Sequence, residues 1–145
     1  MATRFTTTQL SEGDAIGTVV DLANEEAMGV YNALAITGNR TLTAAQFMNG
    51  IARLTGTPGA GFNVTTPTAA AIVADTVNSQ AGSWSELIIQ NVADATATVV
   101  AGSGVTLVGV TAVGANKTQL YKAIITNATS GSEAVTLIGL LYAPV

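Results

Sequence analysis

The sequence predicts a mainly β protein: a small antiparallel β-sandwich or barrel with one or two short helices and an extended N-terminal arm. Three observations predict this class. From Trp84 onward, short runs rich in Val, Ile, Leu and Thr alternate with Gly, Asn, Asp and Ser, which favour turns. A segment near residues 67–78 carries the signals that begin a helix. The first thirty residues differ in charge from the rest of the chain.

The N-terminal arm, residues 1–30, is distinguished by its acidity. Five of the nine acids lie between Ser11 and Met28 against one upstream arginine, whereas the charges from Gly29 onward sum to zero. Glycines interrupt the arm, so residues 1 to about 17 are expected to be extended. Residues 18–34 suit either an amphipathic helix or two strands around a turn, and both interpretations stay open. Residues 31–145 are expected to form the β-rich domain.

Two helices are predicted from capping signals. Thr43 and Gln46 have the spacing of a capping box, which indicates a helical turn over Ala44–Met48. At Thr66-Pro67, threonine suits the N-cap and proline suits the first helical position, so a second helix is expected to run to about Asn78. The residues expected on its packed face are Ile72, Val73, Thr76 and Val77.

The strand predictions rest on β-branched and apolar runs bounded by turn residues. In chain order they are Ala33–Thr37, Ile51–Thr55, Trp84–Val92, Ala95–Ala101, Val105–Val108, Val110–Val113, Gln119–Thr126 and Ala134–Tyr142. The six strands from Trp84 onward are joined by short loops, which indicates an antiparallel sandwich or a small barrel. Gly56–Gly61 is expected to be a loop. It lacks the lysine and hydroxyl residue of a phosphate-binding loop, because Phe62 and Asn63 follow it.

Composition excludes several classes of function. The chain has no Cys and no His, which excludes disulfides, thiol nucleophiles, Cys/His zinc sites and histidine-dependent triads. With five Lys+Arg in total and no basic cluster, it does not suit nucleic acid. No uncharged stretch is apolar enough for a membrane helix, and the carboxylates are too scattered for a metal site. We therefore expect no enzymatic activity, no cofactor and no membrane partner.

The charge content indicates that neighbouring molecules cover part of the surface. Hydrophobic residues make up 48% of the chain and charged residues only 10%, well below the roughly 25% usual for soluble domains. Small residues, with 25 alanines and 15 glycines, let backbones approach closely. Long charge-free strands left bare would favour edge pairing and aggregation, so subunit interfaces are expected.

The aromatic residues allow a second interpretation. Trp84, Tyr31, Tyr121 and Tyr142 are planar side chains of the kind that stack on sugar rings. Most of them lie in or beside predicted strands, so packing in the core or at a subunit interface is favoured. Trp84 in particular is expected to be buried.

Four segments of the chain resemble a module of structural proteins of tailed bacteriophages and other large DNA viruses. They are TLTAAQFMNG from Thr41, TTPTAAAIVADT from Thr65, GSGVTLVG from Gly102 and ITNATSGSEAVTL from Ile125, and together they span about 70% of the chain. In the family, the strand before the third of these segments ends in Asn-Thr. In this chain the corresponding strand keeps the asparagine, as Asn91, and has Val92 in place of the threonine. The resemblance implies a β-rich domain that forms trimers on a virion surface, as a head decoration protein or a fibre component. It implies no catalytic residue.

Together these observations predict a non-enzymatic capsid decoration (cement) protein on the outer surface of the virion. It is expected to form a homotrimer and to bind the major capsid protein through its acidic arm, which combines charge with apolar anchors. The candidate capsid-binding residues are Phe5, Leu10, Ile16, Val19 and Val20. The alternative function is a glycan-binding receptor module of a tail or head fibre, in which Trp84 or Tyr121 stacks on sugar rings.

Overall fold

The computed structural model describes residues 30–48 and 50–140. Within these residues the chain is mainly β, with two short helices and two mixed sheets in a sandwich-like arrangement, which confirms the predicted fold class. The strands are β1 (Val30–Ala35), β2 (Arg40–Thr41), β3 (Gly50–Thr55), β4 (Phe62–Thr65), β5 (Trp84–Asn91), β6 (Ala97–Val100), β7 (Val105–Gly109), β8 (Ala112–Val113), β9 (Lys117–Asn127) and β10 (Ala134–Gly139). The helices are α1 (Ala44–Phe47) and α2 (Ala69–Asp75).

The strands form a six-stranded sheet of order β1-β3-β5-β9-β10-β7 and a four-stranded sheet of order β2-β4-β6-β8. Pairing is antiparallel at β5/β9, β9/β10 and β6/β8 and parallel at the other contacts. The expectation of antiparallel pairing throughout is therefore wrong. The reason is the path of the chain: from β1 to β6 it changes sheet after every strand, so it re-enters each sheet in the same direction. From β1 to β6 the loops cross between the sheets instead of closing hairpins, whereas β9 and β10 form a hairpin within the six-stranded sheet.

The first helix begins where the capping box predicts. The Thr43 Oγ1 accepts a hydrogen bond from the Gln46 N–H at 3.3 Å, and the Gln46 Oε1 accepts one from the Thr43 N–H at 3.1 Å. These two bonds satisfy amides that the short helix leaves without an internal partner. Phe47, in the last position of α1, is fully buried. The capping-box prediction is confirmed.

The second helix is shorter than predicted and begins later. Its N-cap is Thr68, whose Oγ1 accepts from the Ala71 N–H at 3.2 Å, and it ends at Asp75. The predicted N-cap, Thr66, is buried, and its Oγ1 accepts from the Gly102 N–H at 2.8 Å. Thr66 thus connects the β4–α2 turn to the loop after β6. A Cβ at Gly102 would lie 2.5 Å from the Thr66 carbonyl oxygen, which explains why a glycine stands there.

The core lies between the two sheets and is closed by the two helices. Ile72 of α2 is fully buried, as predicted, whereas Val77 lies beyond the end of the helix and is 74% exposed. The other large side chains that are fully buried include Tyr121, Phe47, Leu54, Leu87, Ile89 and Leu137. The inner face of the six-stranded sheet is therefore packed over its whole width.

Candidate functional site

The outer face of the six-stranded sheet is the surface most unlike that of an ordinary soluble domain. We use this name for the face turned away from the core. Successive side chains of a strand point to opposite faces, so the two fully buried residues of β5, Leu87 and Ile89, place Ile88 on the outer face. In β9 the buried Tyr121 likewise places Leu120 outward. Both outward residues are large and apolar.

A continuous line of apolar side chains crosses this face, and we call it the apolar row. The strand register aligns Tyr31 with Ile51, Ile51 with Ile88, and Ile88 with Leu120. The Leu140 N–H donates to the Leu120 carbonyl at 3.1 Å and so continues the line beyond β10. Five neighbouring strand positions span about 19 Å at the usual spacing of about 4.8 Å. The row therefore forms one continuous apolar stripe across most of the sheet.

The two ends of the apolar row are its most exposed parts. Tyr31 is 56% exposed and Leu140 is 42% exposed, and the three residues between them are half-buried. The Tyr31 hydroxyl accepts a hydrogen bond from Arg53 Nη1 at 3.3 Å. Burial of apolar area from water contributes about 25 cal/mol per Å², so a surface that covered this row would be stabilised.

Few charged groups accompany the apolar row. Glu86 lies directly opposite Lys122 in the neighbouring strand, and the next positions along the same line are Ile138 and the half-exposed Val108. Within the described strands, the outer face carries three charged residues: the cations Arg53 and Lys122 and the carboxylate Glu86. Interfaces that hold copies of a chain together have the same composition, with apolar residues and few charges at the centre.

Trp84 lies at one corner of the outer face and corrects a prediction. It is 61% exposed instead of buried, because its neighbour Ser85 points into the core at 2% exposure. The Lys122 ammonium lies over the indole ring, 4.0 Å from its centroid. A cation on an aromatic face is attracted by the ring quadrupole, so this contact holds the exposed ring in place. Trp84 is thus an ordered aromatic surface rather than a core residue.

A small cleft lies beside Trp84, between the two helices and strands β5 and β9. Its volume is about 60 Å³, and its lining residues are Met48, Ile72, Thr76, Ser83, Trp84, Ser85, Ala123 and Ile125. The lining reaches from the exposed Trp84 to the fully buried Ile72. Ser85 Oγ donates to Met48 Sδ at 3.4 Å, and a thioether is a weak acceptor. The buried hydroxyl therefore retains hydrogen-bonding capacity.

Tyr121 is a core residue. It is 1% exposed, and its hydroxyl has no hydrogen-bond partner among the described residues. Desolvation by burial raises the pKa of Tyr121 to about 12. A ring in this position is closed to a sugar, so the expectation that Tyr121 could stack on a glycan is wrong.

Asn91 is the buried polar residue that the family resemblance singled out. Its Nδ2 donates to the Ala95 and Val113 carbonyls at 2.9 and 2.8 Å, and its Oδ1 accepts from the Ala93 N–H at 3.1 Å. One side chain therefore satisfies three backbone groups where β5 ends and the chain crosses to β6. In this structure Asn91 stabilises the connection between β5 and β6.

The remaining candidate motifs of the described residues have structural roles. Gly56–Gly61 is a loop, as predicted, and its Gly59 N–H donates to the Asp94 carboxylate at 3.2 Å. Residues 30–48 and 50–140 contain no group of three or more acids that could hold a metal ion. In the same part of the chain, no helix is long and apolar enough to cross a membrane.

Several predicted sites lie outside the described residues. They are the arm up to residue 29, the undecided segment before β1, Tyr142 and all five candidate capsid-binding residues: Phe5, Leu10, Ile16, Val19 and Val20. Their roles stay predictions. Sequence reasoning missed the apolar row, although the unbroken run Leu87-Ile88-Ile89 was a signal that β5 carries large apolar side chains on both of its faces.

The described residues define a two-sheet β domain with an exposed apolar sheet face. Comparison with protein-family models, with curated proteins and with solved structures finds no match for this chain.

Proposed function

We propose that the protein is a non-enzymatic structural protein of a virion, specifically a capsid decoration protein. It forms a homotrimer through the outer face of the six-stranded sheet and binds the major capsid protein on the outer surface of the head. The observation that carries this proposal is the apolar row from Tyr31 to Leu140. The resemblance of four segments to virion structural proteins supports the trimeric state and the location on a virion.

A second copy of the chain is the partner that best fits the outer face. Residues from Gly29 onward carry four cations and four acids, so copies of this domain have no net charge to repel one another. Of the three charged residues of the face, Glu86 and Lys122 stand directly opposite each other in β5 and β9, so two of the charges are adjacent and of opposite sign. Continuous apolar patches on a soluble protein mark interaction sites, and this patch lies on a preformed sheet.

The arm is the proposed contact to the major capsid protein. The first 28 residues hold one arginine and five acids, and hence the whole net charge of −4. A charged segment steers association with a basic surface, and apolar side chains along it supply the contact area. The proposed anchors are Phe5, Leu10, Ile16, Val19 and Val20.

Addition of the full-length protein to undecorated heads tests this function. The native protein is expected to saturate the heads at hundreds of copies per particle, with binding that weakens as salt rises. Val19→Asp/Val20→Asp is expected to remove head binding while the oligomeric mass in solution stays unchanged. The matched control is Thr7→Asp/Thr8→Asp, which adds the same charge at polar positions of the arm. Binding of only a few copies per particle would contradict a decoration role.

Trp84 favours a second candidate function, a glycan-binding module of a fibre. Its ring is 61% exposed and held by Lys122, as an aromatic platform for a sugar requires. A fibre component is present in few copies per virion and binds host saccharides, whereas a decoration protein is present in hundreds and binds heads. Copy number and saccharide binding therefore distinguish the two functions.

A further inference from the structure

We infer that Trp84 and the cleft beside it form a binding site for the N-acetyl group of an amino sugar, in which the sugar ring stacks on the indole and the acetamido group enters the cleft. This inference rests on the second of the two functions above, glycan binding.

The size of the cleft sets the size of the group that enters it. One water-sized group needs about 10–15 Å³ of such space, so a cleft of about 60 Å³ admits a small group of a few non-hydrogen atoms. An acetamido group has four: a nitrogen, a carbonyl carbon, an oxygen and a methyl carbon. A whole sugar ring is too large and remains outside, on Trp84.

The chemistry of the lining fits an amide with a methyl group. The floor is apolar, with Ile72 and Ile125 both buried, and suits the methyl. The polar groups are the hydroxyls of Ser83, Ser85 and Thr76, and none of the described residues that line the cleft is charged. A neutral ligand is therefore favoured over an anion or a cation.

Ser85 is the residue that would recognise the amide. It is 2% exposed, and its one hydrogen bond is donated to a thioether. A buried hydroxyl with so weak a partner gains free energy from a stronger one, since hydrogen bonds in a dry site are expensive to leave unmade. It accepts from the amide N–H, or rotates its proton and donates to the amide oxygen.

The sugar ring is placed by Trp84. Lys122 covers one face of the indole at 4.0 Å, and the 61% exposure leaves the remainder of the side chain open to a ligand. A pyranose ring stacks its C–H groups on such a surface, and the Lys122 ammonium can donate to sugar hydroxyls. The site lies four residues along β5 from Ile88, about 13 Å at about 3.3 Å per residue, so it remains separate from the centre of the apolar row.

Intrinsic fluorescence gives a direct test, because Trp84 is the only tryptophan of the chain. The full-length protein is titrated with a trisaccharide of N-acetylglucosamine and, in parallel, with the corresponding trisaccharide of glucose, which lacks the acetamido groups. We expect a saturable change in emission with the first and at least tenfold weaker binding of the second.

Variants locate the subsite. Ser85→Ala and the isosteric Thr76→Val keep the reporter, and circular dichroism checks that they fold; Ser85→Ala is expected to weaken binding about tenfold and Thr76→Val less. Thr57→Ala, which removes an exposed hydroxyl from the Gly56–Gly61 loop at the far end of β3, is the matched control for Ser85→Ala and is expected to bind as the native protein does. Equal affinity for the two trisaccharides would overturn the acetamido subsite but leave glycan binding standing. No saturable change with either sugar would overturn both.

Discussion

Both faces of the six-stranded sheet carry large apolar side chains, but the two faces have different surroundings. On the inner face of β5, Leu87 and Ile89 are fully buried against the helices and the second sheet. On the outer face, Ile88 lies in the apolar row, and no element of the described chain covers it. Strands that are apolar on both faces are usual where both faces are covered. The described part of the chain therefore buries only one of the two apolar layers, and the outer layer is the one that we propose a second copy covers.

The largest expected difference between the faces is in stability. Ile89→Ala removes a fully buried side chain and should lower the free energy of unfolding by about 2–5 kcal/mol. Ile88→Ala, on the half-buried outer face, should cost less than about 1 kcal/mol in dilute protein, since surface substitutions are usually small. Urea unfolding at several protein concentrations measures both.

The two substitutions should also differ in how their effect on stability depends on protein concentration. The loss in Ile89→Ala should be the same at every protein concentration, because its contacts lie within one chain. The loss in Ile88→Ala should grow with concentration, because association stabilises the native protein by mass action. Equal, concentration-independent losses at both positions would contradict the assignment of the outer face to an interface.

The next largest effect on stability is expected at two neighbouring residues of β5, Asn91 and Gln90, whose amide side chains lie on opposite faces. Asn91→Leu keeps the volume but leaves two carbonyls and one N–H of the crossing to β6 without partners, at an expected cost of about 2–3 kcal/mol. Gln90→Leu, one residue away on the outer face, should change stability by less than about 0.5 kcal/mol. Chemical denaturation compares them, and a neutral Asn91→Leu would show that the crossing does not depend on this side chain.

The tyrosines of the two faces differ in their response to pH. Burial raises the pKa of Tyr121 to about 12, above its unfolded value of 10.0, so the folded state binds the proton more tightly. The stability from this group is complete below pH 10 and is lost as pH rises toward 12. Tyr121→Phe should remove this fall. The exposed Tyr31 supplies the comparison: Tyr31→Phe should leave the fall in place, and an absorbance titration at 295 nm should lose its high-pH step only in Tyr121→Phe.

The sequence predicted local structure better than it predicted connections. The capping box at Thr43 and most strand positions from Trp84 onward are confirmed, because they depend on residues close together in the chain. The pairing of strands was missed, although a repeat signalled it: the two N-caps, Thr43 and Thr68, stand 25 residues apart, as do the buried Phe47 and Ile72. Such a repeat favours stacked coils with parallel pairing over hairpins.

The candidate site was predictable only in part. The low charge content predicted a covered surface, but the apolar row depends on register across five strand positions, and register was not available from single segments. Trp84 was expected inside because large aromatics usually bury most of their area. Trp84 points outward because side chains alternate between the two faces along β5 and Ser85 occupies the inward position.

The mass of the native protein in solution tests whether the apolar row holds three copies of the chain together. Sedimentation at micromolar concentration should give one species of three times 14.5 kDa. Ile88→Lys places a charge at the centre of the apolar row and should give monomers with an unchanged circular dichroism spectrum, whereas Ala70→Lys, which adds the same charge on the exposed side of α2, should remain trimeric. A native protein that sediments as a single 14.5 kDa species, or an Ile88→Lys variant that stays trimeric, would contradict the account.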